Sequence, residues 1–418
     1  MSIAKKLVFE LNEFNQDLLL NSAPIGGSIE SIFKRGRVEF SIEDSYTSDF
    51  LEPWCQWVSV HTGTECQEHK VKHLGDVKEL KKQQIWDKNP EHFGLIWGCL
   101  NSRTPNDKEI AYFPDPWTVS SQPTRKKFKN ILKFLTFSVS KRSESSLKSR
   151  VKNIFKFGMP AFFSMFRLSM YLDIFIIKES WKLGWRNINA SVIYGIVEYL
   201  TFKFALSLTS KKRPVDVIFT NLIAHSQHYY WNTKKHYIID FNILLVEKML
   251  SHANKYYDEI IVFNGLSQDY SGDKEEWHSW VPKGGWEHYI KSILNLNCDV
   301  SPCMSYDTNL YFSSCKDLDS AELYLENFKL TESGDKFFFI ERSASNPLNL
   351  FIRLQYFGKG SERYGNDDFK SLIEIDFDLA AIRTGSHQQY SVAFGDVKGL
   401  NGSKGLSNPQ AVDLYASE

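Results

Sequence analysis

Apolar residues fall along this chain in two rhythms. Short runs with little alternation, at Lys6 to Asn12 (KLVFELN), Phe93 to Asn101 (FGLIWGCLN), Pro214 to Asn221 (PVDVIFTN) and Glu259 to Gln268 (EIIVFNGLSQ), are rich in β-branched and aromatic residues. Runs of that length predict strands buried on both faces, the pattern of a parallel sheet covered by helices. Between them lie stretches of helical period, the longest from about Asp240 to Ala253. Strands alternating with helices predict an α/β fold, with a central, mostly parallel sheet sandwiched by helices. Each run stops at polar residues: Glu10, Asn12, Glu13 and Asn15 after the first, Asn101 and Ser102 after the second, and Asn264 to Gln268 at the end of the fourth. In open α/β sheets ligands bind at the carboxyl ends of strands, so these clusters mark the expected site.

The rhythm changes between residues 122 and 212. That segment is basic, aromatic and helical in period, with Arg125-Lys-Lys-Phe-Lys, Lys148-Ser-Arg-Val-Lys, Phe162-Phe-Ser-Met-Phe-Arg and Trp181-Lys-Leu-Gly-Trp-Arg. It reads as a helical cap inserted into an α/β core whose two parts are residues 1–121 and 213–418. Helix packing is the first explanation of such a stripe, and contact with an anionic membrane surface is the second. Residues 270–290 form a tryptophan-rich stretch (Trp277, Trp280, Trp286) expected to be a loop, where the indoles either stack on a sugar or pack in the protein. After Asp335 the chain is strand-like, then passes a loop carrying Gly385-Ser-His387 and a glycine-rich tail without clear pattern.

Composition narrows the function classes. Among 418 residues, 50 Lys and Arg balance 50 Asp and Glu, so no global field argues for nucleic acid. Six cysteines without a CxxC pair read as free thiols of a reducing compartment. No run approaches the ~18 apolar residues of a spanning helix, and no secretory leader is evident. A cytoplasmic protein is expected, with peripheral contact to the inner membrane through the cap as the variant.

His225 and His228 stand three residues apart, a spacing that presents both imidazoles on one helical face to a metal or a phosphate. Leu51-Glu52-Pro53-Trp54 opens a short helix ending in Thr62-Gly63, and its free N–H groups would favour an anion. Glu10 and Glu52, with the two histidines, are the candidate acid–base or nucleophilic groups. Asn12, Glu13, Asn101, Asn264, Gln268 and His387 are the candidate substrate-binding groups.

In their order, five stretches resemble the alkaline phosphatase, sulfatase and type I phosphodiesterase superfamily. They are LVFELNEF at the first strand, EPWCQWVSVHTG at the nucleophile helix, NLIAHSQHYYW, IIVFNGLSQD and RTGSHQQ. The resemblance implies an alkaline-phosphatase-like fold with phosphoryl or phosphodiester chemistry at the sheet's carboxyl edge. It also implies metal ligands at His228 and His387. The departures are specific. Asn12 stands where the first metal-binding Asp is expected, Pro53 at the nucleophile position, and Ala224 at the third-motif Asp. The fourth-motif Asp-His is absent from Asn264 to Gln268. A two-metal site needs more carboxylates than remain. The expectation is therefore one divalent metal on His228 and His387, completed by His225 or a glutamate, or none.

The resemblance further implies a role in bacterial surface-polysaccharide or glycan metabolism. The expected substrate is a phosphorylated, nucleotide-linked or lipid-linked sugar, handled by phosphoryl or glycosyl transfer. The alternative is a binding module of the same fold that holds a glycan or anion without turnover. Nucleic acid ranks last as a partner.

Overall fold

A computed structural model describes the chain apart from residues 1–3, 43–50, 119–120, 127, 141–173, 185–186, 211, 272–276, 303–305, 344–345, 368, 401–405 and 417–418. The chain forms two compact units. One comprises residues 1–135, 156–272 and 385–418, the other residues 136–155 and 273–384.

The first unit is built on an eight-stranded sheet. Its strands are β1 (Lys6–Leu11), β2 (Arg37–Ser41), β3 (Phe93–Trp97), β4 (Ala111–Phe113), β5 (Val215–Thr220), β6 (Glu259–Phe263), β9 (Tyr390–Gly395) and β10 (Leu406–Ser407), in the order β10-β2-β9-β6-β1-β5-β3-β4. β1, β3, β4, β5 and β6 pair in parallel, and β9 runs antiparallel to both its neighbours. A separate two-stranded ribbon pairs β7 (Ser267–Tyr270) with β8 (Gly385–Gln388), placing His387 opposite Gln268. The fold is α/β with a mostly parallel central sheet, as the hydrophobic runs predict.

Alternation along β1 sorts the two faces. Leu7, Phe9 and Leu11 join a core formed with α3 (Ala190–Leu206) and α5 (Tyr237–Ala253). Val8 and Glu10 point to the other face, which α2 (Pro53–Thr62) covers. Trp57 of that helix lies 5.5 Å, ring to ring, from both Phe219 and Phe263. Burying a side chain such as Phe9 contributes roughly 1.5–3 kcal/mol, so the layers are held by many such contacts. α2 begins with Pro53 at its first position and ends at Gly63 in the left-handed region, φ 67°, the usual asymmetry of a helix start and stop.

Three expectations need correction. His387 sits on a strand, not in a loop, because the ribbon with β7 satisfies its backbone. The tail is not patternless at its end: a 3-10 helix over Asn408–Tyr415 buries Ala411, Leu414 and Tyr415. The tryptophan-rich stretch is a strand (Trp277–Pro282) followed by a helical turn (Gly285–His288), and Trp280 and Trp286 belong to an aromatic core within the second unit. Only Trp277 is substantially exposed, and it stacks on Phe357 at 4.5 Å.

The second unit has its own four-stranded antiparallel sheet, with strands at Phe338–Arg342, Asn349–Leu354, Thr308–Tyr311 and Asp299–Pro302 in that order. Its core includes Tyr289, Phe328, Phe337, Tyr364 and Phe377. Within the segment 122–212, Phe128, Ile131 and most inward residues of α3 are buried in the first unit's main core. The basic and aromatic runs at 148–152, 155–157 and 162–167 lie outside the described residues. Among the described residues, no helix is long and apolar enough to cross a membrane.

Candidate active site at the carboxyl edge of the sheet

β1 ends at Leu11, and the next two residues turn sharply. Glu13 adopts φ 58°, a conformation few non-glycine residues take. The turn is held from two sides: the Glu13 N–H donates to the Asn264 carbonyl at 3.0 Å, and its carbonyl accepts from Gln227 Nε2 at 2.9 Å. Asn15 continues the lock. Its N–H donates to Gln227 Oε1 while its side chain caps α1 (Gln16–Ser22) and donates to the Gln268 carbonyl and Asp269 Oδ1.

The Glu13 carboxylate is thereby set between two imidazoles. Its Oε2 lies 3.0 Å from Nε2 of His228, on α4 (Leu222–Tyr230), and 3.0 Å from Nε2 of His387, on β8. The ring centroids of the histidines are 5.2 Å apart. One ligand-type atom from each of Glu13, His228 and His387 lies within 4.8 Å of the others. Gln268 Nε2 contacts the same carboxylate oxygen and stands 3.0 Å from His228 Nε2. Its Oε1 is buried without a hydrogen-bond partner, and turning the amide over would offer that oxygen to the cluster.

The far nitrogens decide the tautomers. Nδ1 of His387 contacts the Leu51 carbonyl, and Nδ1 of His228 contacts the Gly385 carbonyl at 3.4 Å. A carbonyl oxygen only accepts, so both Nδ1 atoms carry hydrogens, and each Nε2 faces Glu13 as a lone pair or with an added proton. A carboxylate oxygen between two such nitrogens is held together either by protons or by a cation. Backbone carbonyls behind both Nδ1 atoms are the usual support of metal-binding histidines. Burial opposes ionisation of Glu13, but the neighbouring His387 charge and hydrogen bonds from His228 and His387 outweigh it. The carboxyl is held well below the usual glutamate range. The donor set of two imidazoles and one carboxylate is one that fits a zinc-type ion.

The remaining candidates divide. Asn12 lies beside the cluster, donating to Glu13 Oε1 at 2.8 Å and Asn221 Oδ1 at 2.6 Å while accepting from Trp57 Nε1 at 2.6 Å. Glu52 is the residue before α2, adjacent to the Leu51 carbonyl that anchors His387. Of the others, Asn264 reaches the site only through its backbone carbonyl, which holds the Glu13 N–H, and the rest are held elsewhere. Glu10 is 0% exposed and sealed under α2 with His61 and Tyr415, out of reach of a substrate. His225 turns toward α3, its Nδ1 3.2 Å from Ser191 Oγ; the three-residue step leaves the two imidazoles about 60° apart around α4, enough for His228 to reach Glu13 while His225 packs against the neighbouring helix. Asn101 holds loops through Trp54, His73 and Gly75, and Asn264 ties Phe14 to Val392. The Cys55 thiol, near the start of α2, faces the Val71 and Lys72 carbonyls. Gln227 and Asn15 shape the site without a sequence motif to announce them, beyond being polar near strand ends.

No protein-family model matches the chain, and no curated protein matches it in sequence. Among solved structures, phosphonoacetate hydrolase from Sinorhizobium meliloti 1021, in complex with phosphonoformate, is similar with a TM-score of 0.44 at 11% identity, over 99% of this chain and 94% of that chain. Human ectonucleotide pyrophosphatase/phosphodiesterase 5 is similar with a TM-score of 0.41 at 10% identity, over 98% of this chain and 93% of that chain. The murine form in complex with AMP gives 0.36 at 11% identity, over 98% and 93%.

Proposed function

We propose that the first unit is a metal-dependent hydrolase of phosphate or phosphonate esters with a single divalent cation held by Glu13, His228 and His387. The observation that carries this reading is the convergence of one carboxylate and two Nε2 atoms at the carboxyl edge of a parallel sheet, each imidazole backed by a carbonyl. A cation there supplies Lewis-acid polarisation of a phosphoryl oxygen. Asn12 and Gln268 orient the Glu13 carboxylate. The start of α2, two residues beyond the anchoring Leu51 carbonyl, presents the N-terminal end of a ten-residue helix, which favours an anion. That helix opens with Pro53, which has no nucleophilic side chain, so water is the attacking group.

The substrate class follows from the motif resemblance: a phosphorylated or nucleotide-linked molecule, with a sugar or lipid-linked sugar as the specific form. Glycosyl transfer through Glu10 is disfavoured by the burial of that carboxylate. Loading the purified protein with zinc or manganese, then assaying bis(p-nitrophenyl) phosphate and a nucleotide p-nitrophenyl ester, tests the reading. Wild type should bind the metal and hydrolyse one of them, and Glu13→Gln and His387→Ala should lose metal and at least ~100-fold in rate, in line with other metal-site losses. Metal bound tightly with no hydrolysis of either ester would favour the binding-module alternative. No metal at Glu13 would end the reading.

A further inference from the structure

Beneath α2, on the sheet face that the proposed reaction does not use, a second polar cluster is enclosed in the first unit. Glu10 on β1, His61 on α2 and Cys99 just beyond β3 are each 0% exposed. One carboxylate oxygen, one ring nitrogen and the sulfur lie within 4.8 Å of one another. His61 is walled by Trp57, 5.7 Å between ring centroids, by Trp86 at 4.8 Å, and edge-on by Tyr415 at 6.2 Å. Glu10 Oε1 accepts from the Tyr415 hydroxyl at 2.5 Å and lies 2.9 Å from His61 Nε2. Glu10 Oε2 and His61 Nδ1, both buried, have no hydrogen-bond partner. An unsatisfied buried polar atom costs about 1–3 kcal/mol, and more when charged. Both side chains stand beside the Cys99 thiol, which hydrogen-bonds Glu10, in a pocket lined by indoles, so a cation would take the place of that thiol proton among the three donors.

We propose that Glu10, His61 and Cys99 form a structural site for one zinc-type divalent cation. A thiolate and a carboxylate cancel the ion's two charges, so the assembly is neutral, as a site closed to solvent requires. Sulfur, imidazole nitrogen and one carboxylate suit a borderline ion such as zinc over magnesium or calcium, which take oxygen alone. The Tyr415 hydroxyl fixes the carboxylate from outside, the part played by hydrogen-bonding partners around metal ligands. The site ties β1, α2, the segment after β3 and the C-terminal 3-10 helix to one point. Its role is to hold these four pieces together, with no part in the reaction at Glu13.

Cobalt is the probe. The protein, expressed in cobalt-supplemented minimal medium, should show thiolate-to-cobalt charge-transfer absorption in the near ultraviolet. The band should be absent, with one equivalent less metal, in Cys99→Ala, and should persist in Glu13→Gln, which empties only the edge site. Cys99→Ser covers the chance that the alanine variant fails to fold; it too should lose the band. A cobalt-containing wild type without the band overturns the buried site and leaves the edge site untouched. A band that survives both Cys99 variants overturns it equally.

Discussion

At the scale of single residues, position relative to the strand end decides what a carboxylate can do. Glu10 and Glu13 are three residues apart, yet one is locked under α2 and the other faces two histidines. The difference comes from strand alternation and from the left-handed turn at Glu13, which follows the last β1 residue. Glu198 on α3 shows another case. It accepts from the Thr220 hydroxyl at 2.8 Å at the end of β5, and burial pushes its pKa up to about 7 against hydrogen bonds from Thr220 and Tyr194. A raised carboxyl holds a proton in the folded chain that the unfolded chain releases near pH 4.3, so stability falls as pH rises from there to about 7. Glu198→Gln keeps an acceptor for Thr220 and cannot ionise. It should match wild type in melting temperature at pH 4 and exceed it at pH 8. The gain should stay below the ~1.4 kcal/mol per unit that linkage allows, because Glu198 as a whole residue is only half-buried although its carboxyl is enclosed.

At the scale of elements, the site depends on how closely α2 meets the sheet. Gly265, just after β6, has φ 64°, and a Cβ there would stand 2.6 Å from the Trp57 ring. Trp57 in turn donates to Asn12, beside Glu13. Gly265→Ala should cost about 1–3 kcal/mol through overpacking, in addition to backbone strain, and should weaken metal binding at Glu13. Gly26→Ala isolates the backbone part, since φ there is 70° but nothing lies within 4 Å. Urea denaturation of the two variants should show the larger loss at Gly265; equal losses would remove the ring contact from the account. The five motif stretches are meaningful at this scale too. The first, third, fourth and fifth contribute Glu13, His228, Gln268 and His387 to one cluster, and the second contributes the Leu51 carbonyl just before its start.

At the scale of the molecule, the chain carries two cores of different chemistry. The first unit is dominated by aliphatic layers on a parallel sheet, the second by aromatic packing such as Phe337 on Tyr364 at 4.1 Å. Phe337→Ala should destabilise the second unit by about 3–5 kcal/mol and leave metal binding at Glu13, His228 and His387 intact. Denaturation followed by near-ultraviolet circular dichroism, beside metal titration of the same variant, checks this. Loss of metal together with the aromatic signal would show that the two cores do not behave separately.

The sequence by itself determined the class of the fold, and it set the polar residues of the proposed site at the carboxyl end of the sheet. Short apolar runs rich in β-branched and aromatic residues point to strands covered on both sides, and polar residues placed after them collect at the strands' carboxyl ends. It also pointed to His228 and His387, through their order along the chain. It could not tell that Glu13 rather than Glu10, and His228 rather than His225, would stand in one cluster with His387, because that turns on which way a side chain faces after a turn or around a helix. Nor could it show that Glu10, His61, Cys99 and Tyr415 share one pocket. Those residues lie as far apart in the chain as 405 positions, and only packing of α2 and the C-terminal turn on the same sheet face brings them together.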